Sequence, residues 1–239
     1  WTTNGSVSAC TGDMASYRYA AYRALQDVHA ALRFLVANAQ TYGIDTSAVF
    51  IMGQDAGAMT ALHVGYADQN EADAMFPGAF ADLGGIYSAT NSIQATYQIK
   101  GIFSWCGAVS DTSIFDAQEA IPVLSLHGLK DSVYDVTSAK YRHCASYTNL
   151  FGPKAIHVRL GGQGICSETN YDANGEHCLF PTLEPVNYVP QKFTCFFKNL
   201  LCGNCTTREK VSYSISSCMD AAPLQLQEST VSANWSLSP

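Results

Sequence analysis

Charged residues are scarce in this sequence. Asp, Glu, Lys and Arg together make up 14% of it, against roughly 25% in typical soluble globular chains. Acidic residues outnumber basic ones by 20 to 13, which gives a net charge of −7, and the sequence lacks any cluster of Lys and Arg. Because concentrated positive charge is what binds a phosphate backbone, we expect no nucleic-acid partner.

Long apolar runs are also lacking. No uninterrupted apolar stretch approaches the roughly 20 residues that a helix needs to cross a bilayer, so no membrane span is predicted. The chain has 239 residues, which is enough for one domain with a sizeable core. It begins at Trp1 and shows no signal peptide, so we expect an N-terminus that is processed or truncated.

Cysteine, by contrast, is plentiful. Nine cysteines are many for a cytosolic chain of this size and favour an oxidising compartment with disulfides. Three glycosylation triplets, at Asn4, Asn204 and Asn234, add weak support for a secreted glycoprotein. Cys202 and Cys205 have the spacing of a zinc-ligand pair, but no second pair with zinc spacing accompanies them. We therefore predict a secreted protein with disulfides and with no metal or cofactor.

Hydrophobic periodicity predicts alternating helices and strands. Helices are predicted over 16–42, after the glycine turn at 53–57, over 138–150 and around 193–201. Buried strands are predicted over 48–52, 101–109, 121–128 and 155–160. This alternation predicts an α/β fold in which a mostly parallel sheet has helices on both faces. The Ser/Thr-rich tail, 206–239, is interpreted as an extension with one edge strand around Val211, Tyr213 and Ile215.

The segment IMGQDAG, residues 51–57, lies between a predicted strand and a predicted helix. A strand, the pattern G-x-S-x-G and a helix form the nucleophile elbow, in which the glycines permit a sharp turn that lifts the central side chain clear of the sheet. Here the central residue is Asp55 rather than serine. The segment therefore poses the question of whether the elbow still supports catalysis.

Residues 22–66, YRALQDVHAALRFLVANAQTYGIDTSAVFIMGQDAGAMTALHVGY, resemble the carboxylesterase-type α/β-hydrolases, especially secreted bacterial esterases related to polyhydroxybutyrate depolymerases. The segment IPVLSLHGLKDSVYDV, 121–136, is similar to the strand and loop that carry the acid of their catalytic triad. The resemblance covers roughly residues 16–202 with gaps. It implies an α/β-hydrolase-like domain over 1–205, with Asp55 at the nucleophile position, Asp131 as the acid and the Ala56 N–H in the oxyanion hole.

The family's histidine follows the last strand, and two positions compete for it. Ile165, in GGQGIC, comes directly after the strand predicted over 155–160, whereas His177, in GEHC, comes a dozen residues later. We favour His177 because loops at that edge vary in length.

An aspartate at the nucleophile position, Asp55, is compatible with two functions. α/β-Hydrolases with a carboxylate nucleophile resemble one another in carrying a helical cap, and only the loop 110–120 separates the two strands where that cap would lie. A carboxylate that attacks an ester forms a mixed anhydride and has no hydroxyl proton for the histidine to remove. We therefore predict a pseudo-hydrolase with a structural, assembly or binding role. The alternative is an active secreted carboxylic-ester hydrolase in which Asp55 is a natural or engineered nucleophile variant.

The family's N-terminal strands and glycine-rich oxyanion loop have no counterpart in this chain, since only about fifteen residues precede the first predicted helix. The strand at 48–52 would then be an exposed apolar edge, which soluble proteins avoid. We therefore expect a partner strand along 48–52, supplied either by a separated N-terminal segment or by a neighbouring subunit in a homo-oligomer or filament.

Overall fold

The computed structural model describes residue 10 and residues 12–88, 91–180 and 188–211. Its helices are α1 Met14–Ala37, α2 Ala39–Tyr42, α3 Ala56–Tyr66, α4 Gln69–Met75, α5 Ala79–Leu83, α6 Pro153–Gly162 and α7 Tyr188–Leu201. Its strands are β1 Val49–Gln54, β2 Ile99–Trp105, β3 Val123–Gly128, β4 Ser138–Lys140, β5 Asn149–Phe151, β6 Ser167–Asp172 and β7 Arg208–Val211. Among these helices, none combines the length and the apolar character that crossing a bilayer requires.

Five strands form one parallel sheet in the order β1-β2-β3-β6-β7. Neighbouring residues of a strand point to opposite faces, and the core divides accordingly. Ile102 packs in a cluster with residues of α1, α3 and α6, whereas Phe103 packs against α7. Helices therefore cover both faces of a mostly parallel sheet, which confirms the predicted fold class.

Capping residues determine where the first helical segment begins and ends. Asp13 caps α1, because its carboxylate accepts a hydrogen bond from the Ser16 N–H at 2.8 Å. The helix is interrupted at Asn38, and Gly43 ends the short α2 in the left-handed conformation, with a φ of 67°. The predicted helix over 16–42 is therefore two helices in succession.

Two predicted elements are wrong. The helix expected over 138–150 is the antiparallel pair β4 and β5, joined through a single 3-10 turn. The strand expected over 155–160 lies in α6, where Pro153 takes the first turn, a position that needs no N–H donor. Within α6 the buried residues Ile156 and Leu160 are four apart, and Val158 between them is 67% exposed, which is the period of a helix.

The sequence pattern also did not predict strand β6. All six of its residues are buried, although most are polar. Glu168 forms ion pairs with Lys192 of α7 and Arg208 of β7, and Asn170 accepts a hydrogen bond from the Tyr188 hydroxyl at 3.0 Å. Burial alone raises the pKa of Glu168, but its hydrogen bonds and charge pairing with these cations hold the pKa below its usual range. These partners stabilise a polar strand in the interior of the sheet.

The two sheet edges are β1 and β7. Within the described residues, no strand pairs with the outer edge of β1, where Met52 is 50% exposed and Phe50 stacks on Phe197 of α7. The partner strand expected there stays a prediction. β7 pairs with β6 at the other edge, inside the predicted tail; residues 213 and 215 of that tail lie outside the described residues.

Candidate functional site

The elbow places Asp55 between β1 and α3. Asp55 has φ 55° and ψ −122°, a conformation that costs a non-glycine residue about 1–3 kcal/mol. Its N–H donates to the Trp105 carbonyl at 3.0 Å. A Cβ at Gly53 would lie 2.1 Å from the Gly57 carbonyl oxygen, so the turn requires glycine there. The Asp55 side chain, 49% exposed, therefore stands clear of the sheet.

Asp131 follows β3 and is fully buried at the side chain. Its carboxylate accepts hydrogen bonds from the Val133 and Tyr134 N–H groups at 2.8 and 3.0 Å. Burial alone raises the pKa of Asp131, but these hydrogen bonds and one from His177 outweigh burial and lower it. His127 Nε2 lies 3.2 Å from the carboxylate and 2.9 Å from the Tyr134 carbonyl. With two acceptors around it, this nitrogen carries the proton and helps to hold Asp131.

His177 connects the two carboxylates. Its Nδ1 lies 2.9 and 3.1 Å from the two Asp131 oxygens, and its Nε2 lies 3.2 Å from Asp55 Oδ1. Burial alone lowers the pKa of His177, but the hydrogen bonds to both carboxylates and their charges raise it to about 9. At neutral pH His177 is therefore an imidazolium between two anions.

Ile165, the alternative position for the family's histidine, lies outside this site. It lies between α6 and β6, at the opposite end of β6 from His177, and is buried in the hydrophobic core. The alignment that favoured it assumed a strand over 155–160, which is helical. The structure thus brings together Asp55, His177 and Asp131 and leaves Ile165 outside; the catalytic role of the three stays a prediction.

The loop that carries His177 is tied down on two sides. Lys130 N–H donates to the Gly175 carbonyl at 2.8 Å, and a Cβ at Gly128 would lie 2.3 Å from that same oxygen. On the other side, a disulfide joins Cys178 to Cys106, just beyond the end of β2. The position of the imidazole is therefore set by backbone contacts and by a covalent bond.

Two further groups act on the Asp55 carboxylate. Its pKa is lowered chiefly by the hydrogen bond with His177, against the effect of burial, and additionally by the Tyr134 hydroxyl and the Ala56 N–H. Ala56, predicted as the oxyanion donor, thus contributes to holding the carboxylate. Sequence reasoning missed Tyr134, although D-S-V-Y has the spacing of a turn in which an aspartate accepts N–H groups two and three residues later.

Three disulfides join described cysteines: Cys10–Cys144, Cys106–Cys178 and Cys166–Cys205. The predicted disulfides are thus confirmed. Cys202, the other cysteine of the C-x-x-C pair, is exposed and has a free thiol. Among the described residues, metal-ligand atoms converge at Cys106, His177 and Cys178, whose two sulfurs are joined to each other.

The fold is similar to that of a protein of known structure. A solved structure described as "Truncated form of carbohydrate esterase from gut microbiota" is 19% identical and covers 74% of this chain and 67% of that chain, with a TM-score of 0.53. This chain has an α/β-hydrolase-like fold. The family model BD-FAE matches residues 14–127, which include the elbow and end before Asp131. The comparison with curated proteins gave no match.

Proposed function

We propose that this protein is a secreted pseudo-hydrolase, in which the esterase scaffold is kept for binding and serine-type ester hydrolysis is lost. The observation that carries the proposal is the contact of His177 Nε2 with Asp55 Oδ1 at 3.2 Å. The serine mechanism needs a neutral histidine facing a hydroxyl whose proton it can remove. Here the histidine is already protonated at neutral pH and faces a carboxylate without a proton.

The crossover after β2 supports the same proposal. Residues 106–122 contain no helix, so no cap closes over the site from this segment. A carboxylate nucleophile gains reactivity when water is excluded, whereas the Asp55 side chain is 49% exposed. Because the structurally similar protein is a carbohydrate esterase, esterified carbohydrate is the first ligand class to test by binding.

A chromogenic ester assay of the parent beside Asp55→Ser and Asp55→Ala tests the proposal. We expect the parent to match Asp55→Ala and Asp55→Ser to be at least ~100-fold faster, because loss of a serine nucleophile costs up to ~10⁶ in kcat. Adding His177→Gln to the serine variant should abolish the gain. A parent that hydrolyses the ester faster than Asp55→Ala would contradict the proposal.

One observation favours the alternative, an active carboxylic-ester hydrolase: Asp55 sits at the strained elbow position and its pKa is lowered. An acylated Asp55 is a mixed anhydride, and water that attacks its Asp55 carbonyl carbon leaves one solvent oxygen in the Asp55 carboxylate while the acyl group departs as a carboxylate. Incubation with ester in ¹⁸O-labelled water, followed by mass spectrometry of the peptide that contains Asp55, detects this label. We expect none; label at Asp55 would establish the alternative.

We also propose that β1 pairs with a separated N-terminal segment or a neighbouring subunit. Among the described residues no strand pairs with the outer edge of β1, and Met52 is half-exposed there, which supports this pairing. Light scattering of the parent and of Met52→Lys tests pairing with a neighbouring subunit. If such pairing occurs, the parent associates in solution, and the lysine charge added to β1 weakens that association. Rapid hydrogen exchange at every outward β1 amide in the complete, assembled protein would contradict both versions.

A further inference from the structure

Cys106, His177 and Cys178 meet beside Asp55. The two sulfurs and a ring nitrogen of His177 all lie within 4.8 Å of one another. Cys106 is fully buried and Cys178 is 9% exposed, while the His177 side chain, 23% exposed, reaches toward solvent. Two cysteines and a histidine are a ligand set that zinc uses in enzymes.

We propose that reduction of the Cys106–Cys178 disulfide creates a binding site for a thiophilic divalent cation such as Zn²⁺. The ligands are Cys106 Sγ, Cys178 Sγ and His177 Nε2, with Asp55 Oδ1 as the fourth. The cation binds by displacing protons from the thiols and from the imidazole.

The ligand spacing supports this assignment. For a tetrahedral zinc site with Zn–S of about 2.3 Å and Zn–N and Zn–O of about 2.0 Å, the S···N edge is ~3.5 Å and the N···O edge ~3.3 Å. Cys178 Sγ lies 3.6 Å from His177 Nε2, and Asp55 Oδ1 lies 3.2 Å from the same nitrogen. Two edges of the tetrahedron therefore already have the required length. The sulfurs need to separate to ~3.8 Å, and the Cα atoms that carry them are 5.3 Å apart.

A dithiol supplies the two electrons that reduce the disulfide. One thiolate of the dithiol attacks Cys178 Sγ, the more accessible sulfur, and Cys106 leaves as a thiolate. The second thiolate then displaces Cys178, which yields a cyclic disulfide and two protein thiols, a transfer of two electrons and two protons. Binding Zn²⁺ then releases the two thiol protons and the proton on Nε2.

The bound cation would change the site. In the oxidised protein Nε2 of His177 faces Asp55, but as a zinc ligand it has no lone pair or proton left for a substrate. Nδ1 keeps its contact with Asp131, and a carboxylate on the other ring nitrogen is the partner that orients a zinc-bound histidine. The inference does not depend on the proposed function, because it concerns the ligand atoms alone.

The test uses the full chain with Cys202→Ser, which removes the free exposed thiol. The protein is reduced with dithiothreitol, transferred to buffer without it, and titrated with Zn²⁺ against a chromophoric chelator. Co²⁺ replaces Zn²⁺ in a parallel titration, in which thiolate-to-metal absorption reports sulfur ligation. We expect one equivalent bound after reduction and none before it, with the fold retained by circular dichroism.

Two variants make the result specific to this cluster. His177→Ala keeps both cysteines, and its reduced form should bind Zn²⁺ at least ~10-fold more weakly. Loss of a residue that only hydrogen-bonds a metal ligand already weakens binding by about that much. Cys166→Ser/Cys205→Ser removes another reducible disulfide and should bind as the parent does. Absence of binding by the folded reduced protein, or equal affinity in His177→Ala, would overturn the inference. Binding that requires unfolding, or that is lost in the Cys166→Ser/Cys205→Ser variant, would do the same.

Discussion

A single conservative substitution, Asp55→Asn, should change the charge state of His177. Asp55→Asn replaces the carboxylate that lies 3.2 Å from Nε2 with a neutral amide of the same size, and leaves Asp131 in place. We expect the pKa of His177 to fall, because an anion that stabilises the imidazolium is removed. The parent value of about 9 sets the starting point.

The size of the effect follows from the geometry. Two unit charges 3.2 Å apart interact by about 1.3 kcal/mol in water and by about 2.6 kcal/mol at half that dielectric constant. The upper figure is the limit here, because the Asp55 side chain is half exposed and solvent screens it. One pKa unit corresponds to about 1.36 kcal/mol, so Asp55→Asn should lower the pKa by about 1 to 2, to between about 7 and 8.

The measurement is a pH titration of the histidine ring protons by NMR, in which the resonance of His177 is identified by its loss in His177→Gln.

Asp55→Asn also changes the free energy of unfolding. A histidine pKa raised on folding contributes stability that is fully present below its unfolded value near 6.5 and is lost as pH rises through about 9. Asp55→Asn should therefore unfold more easily than the parent at pH 6 by about 1–2 kcal/mol, and the difference should shrink toward pH 10.

Either of two results would refute this reasoning. A parent His177 that titrates near 6.5 would mean that the carboxylates do not hold an imidazolium, and the main support for the pseudo-hydrolase would be lost. An unchanged titration in Asp55→Asn would mean that Asp131 alone sets the charge state of His177. The 3.2 Å contact with Asp55 would then contribute nothing to the pKa of His177.

Two further predictions concern the scaffold. Glu168→Gln removes the carboxylate charge that faces Lys192 and Arg208 in the interior, so urea unfolding should show a loss of about 3 kcal/mol; a loss below about 0.5 kcal/mol would contradict the buried pairing. Gly53→Ala places a Cβ 2.1 Å from the Gly57 carbonyl and should destabilise the elbow by more than 2 kcal/mol, roughly the scale of overpacking. Gly57→Ala, whose Cβ meets nothing within 4 Å, is the matched control and should be neutral or up to about 1 kcal/mol more stable.

The regular parts of the fold could be predicted because sequence pattern and burial agree there. The first helix has apolar residues at steps of three and four, and β3 is an apolar run bounded by Pro122 and Gly128. The elbow was predictable because Gly53 must approach Gly57 so closely that no side chain fits. In these places local chemistry alone determines the conformation.

The second half of the sheet could not be predicted by the same reasoning. AIHVRL has the β-branched, apolar content of a strand but lies in helix α6, and of these six residues only Ile156 and Leu160 are buried. SETNYD has the content of a loop but lies in a buried strand, because Glu168 finds its counter-charges in α7 and β7. Hydropathy cannot anticipate partners that come from distant segments.

Those distant partners also constrain the order in which the protein can be completed during synthesis. Arg208, which pairs with Glu168, is added 40 residues later, and Cys205 follows its disulfide partner Cys166 by 39. Until the chain beyond α7 has left the ribosome, Glu168 has no Arg208 beside it and its burial is costly. β1, β2 and β3 have no carboxylate that depends on β7 in this way, but Phe103 of β2 packs against α7. This face of the sheet and the burial of Glu168 are therefore both completed only after α7 and β7 have been synthesised.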